Sequence, residues 1–233
     1  MTAEHGVEYG QQPMVVPDGA TEVLLVRHGQ SAAFRPGEPF ALVDGQGDPP
    51  LTEHGHWQAE QVGARLATGV IDAIYVTNLQ RTAQTAAPLA RRLGLTPIVE
   101  PDLREIHLGD WEGGVFRVKA ATRDPIFLEM ERTGDWGVIP GAETTEALQR
   151  RVVGALQRLH AAHPGQRIVA VSHGGAIGAA LSHATGARPV ALSAADNASI
   201  NHVVLHGDRW TLRRYNDTGH LSGELSVRAE GLT

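Results

Sequence analysis

Val23-Leu24-Leu25-Val26-Arg27-His28-Gly29 runs from four large apolar residues straight into a cation, an imidazole and a glycine. With Thr21-Glu22 ahead of it, the apolar run reads as a buried strand over Thr21–Val26. A buried strand is stiff, so the groups after its last residue are held in place. Arg27 carries permanent charge, His28 titrates near neutral pH, and Gly29 lets the backbone turn sharply. Such an ending suits a core poorly and suits the capture of an anion well.

The same kind of ending recurs downstream. Ile71–Val76 reads as a second strand, followed by Thr77-Asn78-Leu79-Gln80-Arg81. Thr77-Asn78 is expected to cap a helix that runs to about Leu93 and closes at Gly94, with Arg81 in its first turn. Arg167–Val171 reads as another strand, followed by Ser172-His173-Gly174-Gly175 and a helix over Ala176–Ala184. Around these, Ser31–Pro50 is a long Gly/Pro-rich loop, Thr52 caps a helix containing Trp57, Val62 and Leu66, and Pro97–Val99 is a short strand. Residues 103–140 are irregular apart from a helix near Ile126–Arg132. Thr144 to about Ala162 is a helix, and Ile200–Leu205 with Trp210–Tyr215 form a hairpin across Gly207-Asp208.

Strands alternating with helices predict an α/β fold: a three-layer sandwich whose mostly parallel central sheet is flanked by helices. In such sheets ligands bind outside the carboxyl ends of the strands. If the three strands are neighbours, Arg27, His28, Arg81 and His173 converge on one cationic cleft. The organisation expected is a flexible segment over 1–20, one domain over 21–216 with a substrate-side insert at 106–140, and a tail over 217–233.

Bulk composition narrows the classes. The 233 residues, 42% hydrophobic and 20% charged, suit an ordinary globular protein. A net charge of −6 gives no global attraction to nucleic acid or anionic membrane, so neither is an expected partner, and an anionic substrate needs a local pocket. There is no cysteine, which removes disulfides, thiolate nucleophiles and Cys-ligated metals and agrees with a cytoplasmic location. No stretch is apolar enough to span a bilayer and no signal-peptide pattern opens the chain. A homodimer agrees with the general prevalence of such assemblies among soluble enzymes, with no residue that demonstrates it.

Two arginines offer planar forks for phosphate oxygens, a neutral imidazole can attack phosphorus, and a second can hold charge on the equatorial oxygens. A carboxylic acid must still supply a proton to the leaving oxygen. The segment Leu103–Gly113 offers Glu105, Asp110 and Glu112, and composition does not choose among them.

Leu25-Val26-Arg27-His28-Gly29-Gln30-Ser31 resembles the Arg-His-Gly signature of the histidine phosphatase superfamily, also called phosphoglycerate mutase-like. Thr77–Thr85 resembles its second-arginine motif, Leu103-Arg104-Glu105 through Trp111-Glu112-Gly113 its acid segment, and Val171-Ser172-His173-Gly174-Gly175 its second-histidine motif. Pro50-Leu51-Thr52-Glu53-His54-Gly55 resembles the stretch before its first helix. The resemblance implies that His28 is a nucleophile carrying a phosphohistidine, that Arg27, Arg81 and His173 bind phosphate, and that Glu105 is the proton donor. It implies a small phosphorylated substrate, with no cofactor and no metal. Many members carry an asparagine soon after Arg-His-Gly. Here Ser31-Ala32-Ala33-Phe34-Arg35-Pro36 has none, so either Ser31, Gln30 or Arg35 substitutes or the pocket makes do with one contact fewer.

The family contains phosphatases and mutases. Only 68 positions separate Glu105 from His173, as in the shorter phosphatase members, and Arg117, Lys119, Arg123 and Arg132 in the insert are balanced by Asp124, Glu129, Glu131 and Asp135. The phosphatase reading is therefore favoured over a mutase. A rival is a serine hydrolase built on Ala170-Val171-Ser172-His173-Gly174, with Asp196 or Asp208 and His202 or His206 as partners, though it leaves Arg27, His28 and Arg81 unexplained. A non-catalytic phosphoanion-binding module is a third reading. His54 with His56, and His202 with His206, are assigned no metal. Trp111 and Trp136 read as packing residues.

Overall fold

The computed structural model describes residues 10–188 and 191–222. Strand β1 spans Thr21–Arg27, and the short pair β2 (Leu42–Val43) and β3 (Gln46–Gly47) folds back within the following loop. Helix α1 (Glu53–Leu66), strand β4 (Ala73–Val76), helix α2 (Gln80–Leu93) and strand β5 (Ile98–Val99) come next. The insert holds α3 (Val115–Ala121) and α4 (Pro125–Thr133). Helix α5 (Thr145–Ala162), strand β6 (Arg167–Ser172), helix α6 (Gly174–Thr185) and strands β7 (Ile200–His206) and β8 (Arg209–Asp217) complete the chain.

The main sheet has the order β5-β4-β6-β1-β7-β8. β5, β4, β6 and β1 run parallel, and β7 and β8 add an antiparallel edge. The alternation of side chains along each strand divides the core in two. Val23 and Leu25, with Ala73, Tyr75, Ile168 and Ala170, face α5 and α6. Leu24 and Val26, with Ile74, Val76, Val169 and Val171, face α1 and α2. Both sheet faces are thus covered, which is why these strands read as continuous apolar runs. No helix among the described residues is long and apolar enough to cross a membrane.

β4, β6 and β1 are neighbours, with Val26 level with Val171 and Val171 level with Val76. Their carboxyl ends open at one height, as the strand-exit reading requires. Thr52 caps α1 by accepting from the Gly55 N–H at 3.0 Å, and Thr144 caps α5 by accepting from Ala147 N–H at 3.1 Å.

The cap of α2 differs from expectation. Its N-cap is Leu79, which offers no side-chain bond. Asp48, from the 31–50 loop, accepts from the Gln80 N–H at 2.8 Å instead. The Thr77 hydroxyl accepts from Leu79 N–H and pairs with Thr82 and His173, while Asn78 donates to Asp44 at 2.6 Å. A long-range carboxylate has taken the role assigned to local residues. The insert also holds one helix more than expected: α3 begins after Gly113 and Gly114, whose φ values of +68° and +109° break the periodicity ahead of it. Of the tail, Asp217 closes β8 and Leu221 packs on the α1/α2 side of the core, while 223–233 lie outside the described residues, as do 1–9.

Candidate active site

Arg27 ends β1 and His28 follows it. The turn is held by a close approach: a Cβ on Gly29 would lie 2.5 Å from the Gly55 carbonyl oxygen, and one on Gly55 would fall 2.1 Å from that of Gln30. Two glycines are needed because the exit from β1 runs against the start of α1 with no side chain between. Gly29 N–H also donates to Thr85 Oγ1 on α2 at 3.0 Å.

His28 is 7% exposed, and its Nδ1 lies 2.8 Å from the Gly29 carbonyl. A carbonyl only accepts, so Nδ1 holds the proton and Nε2 carries the lone pair. Burial, then the charges of Arg81 and Arg27, hold the His28 pKa well below the usual imidazole value. The ring is therefore neutral at pH 7, the form a nucleophile needs.

His173 is fully buried at the end of β6, its ring centroid 5.1 Å from that of His28. Its Nε2 lies 3.1 Å from Thr77 Oγ1, and its Nδ1 has no protein partner. Burial, then Arg81, pushes its pKa well below the ordinary value too. Arg81 reaches in from the first turn of α2 and donates to the Gly47 carbonyl at 3.0 Å. Arg27 donates through Nη1 to the Ala195 carbonyl and keeps a buried Nε without a partner. Burial lowers the pKa of both arginines, which remain cations. An orphaned Nε–H and an orphaned imidazole nitrogen beside two cations are sites that an anion's oxygens satisfy.

The three carboxylates separate by their surroundings. The Glu105 carboxyl accepts from Ile106 N–H at 2.9 Å and, at 3.2 Å each, from Gly175 and Ala176 N–H in the first turn of α6. The approach is close enough that a Cβ on Gly175 would sit 2.5 Å from Glu105 Oε1. Its main chain is clamped as well: Gln46 Nε2 and Arg151 Nη2 donate to the Glu105 carbonyl at 2.6 and 2.8 Å. Glu112 is spent on structure, accepting from Leu108 N–H at 2.8 Å and Gly47 N–H at 2.9 Å. Asp110 is exposed and does not line the cleft. Glu105 and Glu112 both line the cleft with fixed carboxyls, and Glu105 is the one held against the first turn of α6, next to the end of β6 that carries His173.

The cleft has a volume of about 600 Å³ and is lined by Arg27, His28, Arg81 and Glu105 together with Gln30 and Ser31. Gln30 sits at the mouth, its Oε1 accepting from Thr52 Oγ1 at 2.8 Å. Ser31 Oγ accepts at 3.0 Å from Arg117 Nη2, whose other terminal nitrogen donates to the Ala32 carbonyl at 2.6 Å. Arg117 was missed as a site residue. It comes from α3 in the insert, lies over the Phe40 ring at 5.0 Å, and is close enough for its charge to act on His28 and Arg81. Asn197 was missed too. It lines the cleft and donates to the His28 carbonyl at 2.9 Å. No local pattern marks either residue.

Ser172 is buried and donates to the Leu103 carbonyl at 2.6 Å, so the serine-hydrolase reading loses its nucleophile. His202 lies 3.0 Å from Glu22 on the sheet. Among the described residues no group of three His, Cys, Asp or Glu side chains could hold a metal ion. Trp111 and Trp136 pack as expected, Trp111 with 4% exposure, and both also line the cleft.

Residues 23–218 match the profile of the histidine phosphatase superfamily (branch 1). The chain is 34% identical to phosphoglycerate mutase-like protein 4 of Arabidopsis thaliana, over 86% of each chain. It is 30% identical to a metal-independent phosphoserine phosphatase of the same plant, over 89% of this chain and 86% of that one. Among solved structures, a mycobacterial glucosyl-3-phosphoglycerate phosphatase superposes with a TM-score of 0.71 at 28% identity, covering 85% of this chain and all of the other.

Proposed function

The chain belongs to the histidine phosphatase superfamily, and from that membership we propose how its residues divide the reaction. The protein is a phosphoric monoester hydrolase that works through histidine on a small phosphorylated substrate. In our reading the phosphoryl group binds between Arg27, Arg81 and His173, with Arg117 as a third guanidinium closing the side where the family asparagine is missing. With Thr77 Oγ1 donating to Nε2 of His173, the ring proton sits on the partnerless Nδ1 and faces a phosphoryl oxygen. His28 Nε2 attacks phosphorus. The P–O ester bond breaks, its electron pair goes to the leaving oxygen, and Glu105 gives that oxygen a proton. Glu105 then takes a proton from water, the water oxygen attacks phosphorus, and the N–P bond returns its pair to His28. Orthophosphate and the free alcohol leave.

The single observation that carries this reading is the His28 ring: its Nδ1 proton is committed to Gly29, its charge is suppressed, and its Nε2 is free. Hydrolysis is favoured over a mutase by the insert, where Lys119 is paired with Asp124 at 2.6 Å and Arg132 with Glu129 at 2.7 Å. The test is hydrolysis of p-nitrophenyl phosphate in EDTA, with acid-labile 32P labelling at His28. Wild type should turn over and label, and His28→Ala should do neither. Metal-dependent turnover, or turnover that survives the substitution, sinks the mechanism. We further propose a single domain over 21–216, cytoplasmic residence and a homodimer; limited proteolysis, fractionation and light scattering test these in turn.

A further inference from the structure

At about 600 Å³ the cleft is larger than phosphate capture requires. Beyond the phosphoryl end its walls include Ile106, Leu108, Trp111, Phe116 and Trp136. The rings are packed against one another in advance: Phe116 lies 6.2 Å from Trp111 and 5.7 Å from Trp136, centroid to centroid. A preformed pocket of this size, apolar with a few convergent polar groups, fits a small organic ligand rather than a bare anion.

Charge bookkeeping along the wall decides what that ligand can be. Among the described residues, the charged ones lining the cleft are Arg27, Arg81, Arg117, Glu105 and Glu112. Arg27 and Arg81 hold the phosphoryl group and Glu105 moves the proton. Both terminal nitrogens of Arg117 are taken up just past His28 and Gly29, by the Ala32 carbonyl at 2.6 Å and Ser31 Oγ at 3.0 Å, so it belongs to the phosphoryl end. What remains for the rest of the substrate is Glu112, fixed in the wall by the Leu108 and Gly47 N–H groups. Lys119 lies 5.7 Å over the Trp111 ring but is paired with Asp124 at 2.6 Å, Arg132 is paired with Glu129 at 2.7 Å, and neither lines the cleft. A substrate carboxylate would be desolvated beside a like charge with no cation left to meet it, a costly arrangement. A flat uncharged group would stack on rings already ordered, with little further entropy to lose.

Resting on the phosphatase reading above, we propose that the substrate is a phosphomonoester of an uncharged, apolar alcohol bearing a flat ring, and not a phosphorylated carboxylic acid. The experiment compares primary alkyl esters, so that leaving-group reactivity is matched: 2-phenylethyl phosphate, glycerol 1-phosphate, O-phosphoserine and 3-phosphoglycerate. The expected result is a kcat/KM for 2-phenylethyl phosphate at least about tenfold above those of both carboxylated esters. Trp136→Ala should lower the ratio of 2-phenylethyl to glycerol 1-phosphate turnover by about fivefold, the size of a lost aromatic contact. Because this readout is a ratio within one preparation, a partly unfolded variant does not mimic it. Carboxylated esters turned over as well as 2-phenylethyl phosphate, or a ratio unmoved by Trp136→Ala, overturn the proposal while leaving the phosphohistidine chemistry intact. Failure of every ester, with no acid-labile label at His28, overturns the phosphatase reading and this inference together.

Discussion

Gly175→Ala should separate the proton-transfer role of Glu105 from phosphate capture. The added Cβ would stand 2.5 Å from Glu105 Oε1 and 3.4 Å from Cδ, so the carboxyl oxygen must retreat by about 0.9 Å to reach ordinary contact. That retreat lengthens the bonds from Gly175 and Ala176 N–H that fix the carboxyl. The fold tolerates the change, because Gly175 lies within α6, where alanine is the better helix former by up to about 1 kcal/mol. A misplacement near 1 Å costs on the order of 100-fold in a positioned step. The loss should depend on the leaving group. p-Nitrophenolate departs without a proton, so His28 should be phosphorylated at close to the wild-type rate, giving a burst of one equivalent. The steady state should then slow about 100-fold, because Glu105 no longer positions the attacking water. 2-Phenylethyl phosphate, whose alkoxide needs the proton, should show no burst and a similarly reduced kcat. Stopped-flow absorbance and quenched-flow phosphate release measure the two phases, and thermal unfolding verifies the fold. Wild-type turnover of the alkyl ester, or a p-nitrophenyl burst slowed as much as the steady state, would refute the assignment of Glu105.

Arg117→Met should lower kcat/KM by about tenfold for every ester alike, since the lost contact is to the shared phosphoryl group and charged hydrogen bonds are worth about 1.5 kcal/mol; a loss confined to one ester would place Arg117 at the leaving group instead. His28 titrates well below its ordinary value in the folded chain, so between that lowered pKa and about 6.5 the unfolded chain binds the extra proton. Stability is therefore fully present above about pH 6.5 and is lost as pH falls below it. Urea unfolding at stepped pH should show His28→Asn shedding up to about 1.4 kcal/mol per pH unit of that dependence, and equal slopes in both proteins would contradict a neutral buried ring. Orthophosphate should oppose the loss by binding the folded state, raising the urea midpoint of wild type; a midpoint unmoved by phosphate in the wild type would remove the anion site.

The strand endings were legible because each is a local event. A run of apolar residues fixes a buried strand, the strand fixes where the next two residues stand, and Arg27-His28, Arg81 and His173 are read off those positions. Thr52 and Thr144 announced their helices for the same reason: the acceptor and the N–H it serves lie three residues apart. Local reasoning failed where a partner comes from far along the chain. Thr77-Asn78 looked like the α2 cap until Asp48 supplied the acceptor from 32 residues upstream. Asn197 reaches the His28 carbonyl across 169 positions. Arg117 looked like one basic residue in a charge-balanced insert.

By itself, the order of residues determined the sandwich, the four motifs and the groups they carry, because hydrophobic periodicity and strand-exit geometry act over a few residues at a time. The tertiary structure alone decided which of three carboxyls meets the first turn of α6, which charges in the insert cancel one another, and what lines the cleft beyond the phosphate. Those outcomes depend on distances of 3 Å between segments remote in sequence, and only packing around the finished sheet sets such distances.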